Sequence, residues 1–139
     1  MNYVVGFYFS ECGEQVALIR KLNPEWQRGL LNGIGGKVEP GERPYDAMMR
    51  EFEEETGAHI EGWRLFCTAT TEDDRLHFFT ARGDLTELYS AETEEVLTVT
   101  VEDISTLDTI PNLRWLVPLA LDEGNLGASL DYAPTHRPD

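Results

Sequence analysis

The sequence predicts an α/β or α+β domain with about six strands and two main helices. Three observations carry that prediction. Runs rich in β-branched and aromatic residues recur along the chain, each bounded by turn residues. Residues 44–56 place apolar side chains at helical spacing between Pro44 and Gly57. A second apolar stripe of the same spacing follows Pro111. At 139 residues the chain is read as one domain, 1–139, large enough for a core of its own.

Asn2 to Phe9 (NYVVGFYF) reads as a strand. Glu11 to Glu14, with Gly13, reads as a hairpin turn, and Gln15 to Arg20 as the returning strand. Lys21 to Leu31 is a loop turning at Asn23-Pro24. Trp26 in that loop has two readings, ordinary packing or the lining of a substrate cleft. In Leu31 to Val38 (LNGIGGKV) three glycines in four positions would weaken an ordinary strand. Such a segment suits a backbone that must come close to something else.

The first helix should run from Pro44 to about Thr56. Proline suits its first position and Gly57 its C-terminal stop. Tyr45, Met48, Met49 and Phe52 share one stripe that faces the core. Glu51, Glu54 and Glu55 share the adjacent face, with Ala47 extending it by a turn. Ile60 to Ala69 and Leu76 to Ala81 read as strands, and Asp84 to Glu95 as a polar loop. Val96 to Val101 is a further strand, followed by a short helical turn. The second helix starts near Pro111-Asn112 and buries Leu113, Leu116, Val117 and Ala120; Pro118 should kink or end it. Residues 122–139 are polar and Pro-rich and should fray as a tail.

A net charge of −15 repels nucleic-acid backbones and anionic membranes. It repels nucleotides as well, unless a bound cation reverses the local field. No apolar run approaches the roughly 18 residues of a membrane span, and the N-terminus lacks the pattern of an export signal. Cys12 and Cys67 have no framework spacing. Reduced thiols in a cytoplasmic protein are the default expectation.

The helix at 44–56 poses a physical problem. Three carboxylates on one face repel one another, and they sit toward the C-terminal end, where the helix dipole disfavours anions. A compensating hard cation would resolve the conflict, since Mg²⁺ takes carboxylate, phosphate and water oxygens. A solvated acidic face is the plain alternative.

The pattern around that face resembles the Nudix hydrolase signature. Gly36, Glu42, Arg50-Glu51-Phe52, Glu54-Glu55 and Gly57 fall at its fixed positions, within a box at 36–58. Phe52 replaces the usual aliphatic, and Ala58 is small for the last apolar position. The resemblance implies an α/β/α sandwich with a mixed central β-sheet. It also implies hydrolysis of a nucleoside diphosphate linked to another moiety, dependent on Mg²⁺ or Mn²⁺. The Gly35 carbonyl, Glu51, Glu54 and Glu55 would hold the metal. Glu51, Glu54, Glu94 and Glu95 are candidates for the base, with Glu54 favoured as base or ligand. Arg50 joins this group and would pair with Glu42 or Glu51, which leaves Glu42 fixing the turn.

LNGIGGKV and PNLRW are further similar to members that clean nucleoside triphosphate pools. There Asn32 and Asn112 would read the base; Lys37 would meet phosphate in any family member, and Trp26 could stack on the base of either substrate class. Asn32 as a mere turn cap is the plain alternative. The implied partner is a nucleotide, with no nucleic acid and no membrane, and homodimers are common among such proteins. ADP-ribose or a dinucleotide is the alternative substrate. A non-catalytic nucleotide sensor is the alternative role, against which the intact glutamate set argues.

Overall fold

In the computed structural model, residues 1–124 and 127–131 are described. The strands are β1 (Asn2–Ser10), β2 (Gln15–Arg20), β3 (Leu31–Asn32), β4 (Ile34–Lys37), β5 (Arg64–Thr70), β6 (Arg75–Gly83), β7 (Glu95–Thr100) and β8 (Ala128–Asp131). The helices are α1 (Pro44–Thr56) and α2 (Leu113–Leu121). Three 3₁₀ turns, Glu25–Gln27, Leu85–Glu87 and Val101–Thr106, punctuate the loops.

All eight strands join one mixed sheet with the order β3-β2-β1-β6-β5-β8, while β4 pairs with β1 and β7 with β2. β1 lies parallel to β6 along its whole length and antiparallel to β2 and β4. Alternation along the central strands sorts side chains onto two faces. Val4 and Tyr8 of β1, with Ala17 and Ile19 of β2, belong to a buried cluster with Met48 and Phe52 of α1. Phe7 and Phe9, with Val16 and Leu18, belong to the cluster around Leu113, Leu116 and Val117 of α2. The result is the expected α/β/α sandwich around a mixed central sheet.

Most expected elements are present with shifted ends. Helix α1 has the predicted bounds. Proline stands at its start, and Gly57 closes it at φ +79°, donating its N–H to the Glu53 carbonyl at 2.8 Å. Met48 and Phe52 are fully buried, Tyr45 and Met49 are half-buried, and Ala47 is packed into the core. β5 begins at Arg64 rather than Ile60, with Trp63 buried against Phe52 and Tyr8 just before it.

Two expectations are corrected. Pro118 does not end α2, which continues to Leu121. Both Pro118 and Arg114 are exposed, so water reaches the backbone carbonyl that lacks a donor there. The tail expected to fray includes β8, which pairs in parallel with Cys67–Thr70 of β5. The remainder of that tail, 125–126 and 132–139, lies outside the described residues.

The sheet pairing also positions the glycine segment. β3 bonds to the end of β2, and after Gly33 the chain changes partner, with β4 bonding to β1. On its other side β3 meets the approach to α2. Leu31 N–H donates to the Asp108 carbonyl at 2.8 Å, and Ile110 N–H to the Leu31 carbonyl at 2.9 Å.

Candidate active site

The acidic face of α1 lies against β4. A Cβ on Gly36 would sit 2.5 Å from the Glu51 carboxyl group, so this strand position must be glycine for Glu51 to occupy its place. Glu51 is largely covered, at 14% side-chain exposure, whereas Glu54 is half exposed at 49%. Desolvation pushes the Glu51 carboxyl above its usual range, partly offset by Arg50.

Arg50 organises the approach to this face. Its guanidinium forks onto Glu42, Nε to Oε2 at 2.8 Å and Nη2 to Oε1 at 2.9 Å. Nη1 donates to Glu51 at 2.9 Å and lies 3.3 Å from Glu54. Nη2 also donates to the Lys37 carbonyl at 3.0 Å. Glu42 accepts the Glu39 N–H at 3.0 Å as well. Its hydrogen bonds to Arg50 hold the Glu42 carboxyl below its ordinary range. One side chain thus ties the end of β4, the turn at Glu39–Glu42 and two carboxylates of α1.

Glu55 is the uncompensated member. Its Oε2 is buried without a hydrogen-bond partner. Burial pushes its pKa to about 7, with repulsion from Glu94 and then Glu51 adding to the rise; Lys21 opposes it. Glu94 comes from the end of the polar loop read at Asp84 to Glu95. That loop is fastened to the end of α1: Ala91 N–H donates to the Glu55 carbonyl at 3.0 Å and Tyr89 N–H to the Thr56 carbonyl at 3.1 Å. The Tyr89 ring fills the space where a side chain on Gly57 would lie. Glu95 belongs to β7, pairs with Arg20 at 3.3 Å and is 63% exposed.

Among the described residues, no three His, Cys, Asp or Glu side chains gather into a ready-made cation cage. Glu51 and Glu54 converge on Arg50, whereas Glu55 feels the charge of Glu94 more than that of Glu51. The donor set nonetheless suits a hard divalent cation. It consists of carboxylate oxygens, and it includes a buried orphan oxygen on Glu55 flanked by two further carboxylates that raise its pKa.

The candidate nucleotide contacts lie on the neighbouring edge. Asn32 accepts the Gly33 N–H through Oδ1 at 2.8 Å, and its Nδ2 points to Gln27 Oε1 at 3.4 Å. Asn112 has a buried Oδ1 with no hydrogen-bond partner among the described residues. The two asparagines flank the bridge between Leu31 and Thr109. Lys37 is exposed at the end of β4, and Trp26 is 55% exposed in the loop 21–30. An open depression of about 540 Å³ lined by Met49, Arg50, Glu53, Glu54 and His59 touches this region only at Arg50 and Glu54. Gln27 is a site neighbour that sequence reasoning did not single out. Its three-residue 3₁₀ turn carries no periodic signal that would have marked it.

A family model for the NUDIX domain matches residues 2–119. No curated protein sequence matches the chain significantly. Among solved structures, a mutator MutT protein from Bacillus halodurans is similar at 22% identity, covering 96% of this chain and 90% of that one, with a TM-score of 0.75. A MutT NUDIX hydrolase from Burkholderia pseudomallei is similar at 20% identity, covering 86% and 98%, with a TM-score of 0.69. The NUDIX domain of Shewanella oneidensis NrtR, solved in complex with ADP ribose, is similar at 16% identity, covering 86% and 85%, with a TM-score of 0.75.

Proposed function

Because the chain belongs to the NUDIX family, we propose that it is a divalent-cation-dependent hydrolase of a nucleoside triphosphate, releasing monophosphate and pyrophosphate. The observation that carries this reading is the buried, orphan Oε2 of Glu55 on the box helix, which feels the charges of Glu94 and Glu51. An uncompensated acidic site of this kind suits a cation, and a cation suits a phosphate substrate on a protein of charge −15.

The residues divide the work. Glu51, Glu54 and Glu55, with the Gly35 carbonyl, would hold Mg²⁺ or Mn²⁺. When bound, the cation neutralises phosphate charge and acidifies the attacking water. Glu54, the most solvent-accessible of the three, is placed to take the proton from that water or to serve as a ligand. Arg50 acts by position: its fork on Glu42 and its bond to Glu51 hold the loop and helix in register. We assign the auxiliary carboxylate to Glu94 rather than Glu95, because Glu94 acts on Glu55 whereas Glu95 pairs with Arg20 in solvent. Lys37 lies at the approach to this face and would meet phosphate.

The two asparagines support a purine. Asn32 Oδ1 is already engaged by Gly33, which leaves its amide nitrogen as donor; Asn112 offers a buried acceptor. A guanine edge presents an acceptor at O6 and, when oxidised at C8, a donor at N7. An acceptor at Asn112 would welcome that donor and reject the lone pair on N7 of ordinary guanine. Trp26 would stack on the base. The acidic surface argues for a small nucleotide partner over nucleic acid or membrane, in a single domain placed in the cytoplasm.

The test is a panel with Mg²⁺: canonical deoxynucleoside triphosphates, 8-oxo-dGTP, ADP-ribose, a dinucleoside polyphosphate and NADH, run beside Glu54→Gln. Metal-dependent pyrophosphate release from triphosphates, lost in the variant, is the expected result. Cleavage of ADP-ribose alone would keep the hydrolase and overturn the substrate. Tight binding without turnover of any member would make the chain a sensor.

A further inference from the structure

The neck of the loop 22–29 is closed by the Lys21 backbone, with Arg20 Nη1 also donating to the Gly29 carbonyl at 3.2 Å. Lys21 N–H donates to the Leu30 carbonyl at 2.9 Å, and its own carbonyl accepts the Gly29 N–H at 2.8 Å. The Lys21 side chain then turns to Glu94, Nζ to Oε1 at 3.2 Å. Both side chains are well covered, at 21% and 14% exposure. The second oxygen of Glu94 accepts the Leu22 N–H at 2.6 Å and lies 3.4 Å from the Asn23 N–H. One carboxylate therefore grips three consecutive residues at the root of the loop that carries Trp26.

The same carboxylate belongs to the acidic face. It adds to the repulsion felt by Glu55, and Lys21 is the cation that relieves it. Glu94 is also fixed from behind. The segment before it bonds to the last carbonyls of α1, and Ser90 Oγ accepts the Val96 N–H at 2.8 Å. Glu94 thus links the acidic helix face to the loop, and a divalent cation at that face must compete with the Lys21 ammonium for it.

We propose that Lys21 is a positioning residue whose bond to Glu94 couples cation occupancy at the acidic face to the loop 22–29. This rests on the cation-dependent reading above. A cation near Glu55 and Glu94 repels the Lys21 ammonium and draws on the oxygen that holds it. The root of the loop loosens as the cation binds, and Trp26 gains freedom to close on a nucleotide. Linkage is reciprocal: as the cation weakens the lysine's hold on Glu94, the lysine weakens the cation's, so loss of the lysine should tighten cation binding.

The experiment uses the full chain with Mg²⁺ alone as the probe, without nucleotide. Calorimetry gives Mg²⁺ affinity, and amide hydrogen exchange gives protection across 21–30. In the unmodified chain Mg²⁺ should speed exchange at Leu22 and Asn23. In Lys21→Met, Mg²⁺ should bind about fivefold or more tightly, and exchange in the loop should be fast with or without the cation. Lys21→Arg should restore the unmodified behaviour, which a loss of packing alone would not predict. Mg²⁺ binding that leaves loop exchange unchanged in the unmodified chain overturns the coupling, and this arm needs no variant to fold. Equal Mg²⁺ affinity in Lys21→Met overturns it too. Failure of the unmodified chain to bind Mg²⁺ overturns the coupling and the cation-dependent reading together.

Discussion

Glu55→Gln should stabilise the cation-free protein at pH 8 and leave it unchanged at pH 4. Burial and the neighbouring carboxylates push the Glu55 carboxyl up to about 7 in the fold, from an ordinary 4.5. Below the lower value both folded and unfolded chains hold the proton. Between the two, the folded chain keeps a proton that the unfolded chain has released, so stability falls as pH rises through that window. Above about pH 7 the loss is complete. At about 1.4 kcal/mol per pH unit the ceiling is near 3 kcal/mol. Partial solvent access reduces this to about 1–2 kcal/mol. Glutamine keeps the shape and removes the charge, so the variant should melt about 3–6 °C higher at pH 8. Differential scanning calorimetry in EDTA at pH 4 and pH 8 reads this directly. Saturating Mg²⁺ should reverse the order, because a cation that prefers the ionised carboxylate stabilises the unmodified chain more. A variant no more stable than the unmodified chain at pH 8 would refute the claim that Glu55 is an uncompensated anion.

Two further outcomes follow from the geometry around it. Arg50→Lys should cost about 2–3 kcal/mol in urea unfolding, because an ammonium cannot fork onto Glu42 while holding Glu51 and the Lys37 carbonyl. Arg50→Met should cost at least as much. Gly36→Ala should fold with little loss, since the atom its Cβ meets at 2.5 Å is the end of the flexible Glu51 side chain. It should nevertheless weaken Mg²⁺ binding about tenfold or more in calorimetry by displacing that carboxylate.

The box helix was legible because its signals are local. Proline at the start, glycine at the end and a 3.6-residue stripe all lie within residues 44–57. The buried stripe of α2 was legible for the same reason. β8 was not, because four residues with two half-buried positions carry too little pattern to outweigh their polar surroundings. Pro118 misled because propensity cannot report that its turn faces water. At the site, the glutamates could be named from spacing, but Glu94 and Glu95 could not be separated. They are adjacent in sequence, and the register of β7 against β2, with Glu95 opposite Arg20, sends them to different partners. That register is set by contacts far along the chain. The triple engagement of Arg50 was only half visible. Its pairing with Glu42 or Glu51 followed from the pattern, but the bond to the Lys37 backbone depends on how β4 packs against α1.

The change of strand partner at Gly33 separates two trades within a few residues. On one side, Leu31 and Asn32 pair with the β2 edge and Leu31 bonds to the approach of α2; on the other, Gly35 to Lys37 pair with β1 and the Lys37 carbonyl bonds to Arg50 of the acidic helix. Each half answers to a different neighbour. On the proposed reading, base selectivity should be open to change at Asn32, Gln27 or Asn112 without disturbing the carboxylate half. For anyone retargeting this scaffold, Gly33 marks a seam: if the proposed roles hold, it divides a replaceable reader from a fixed engine.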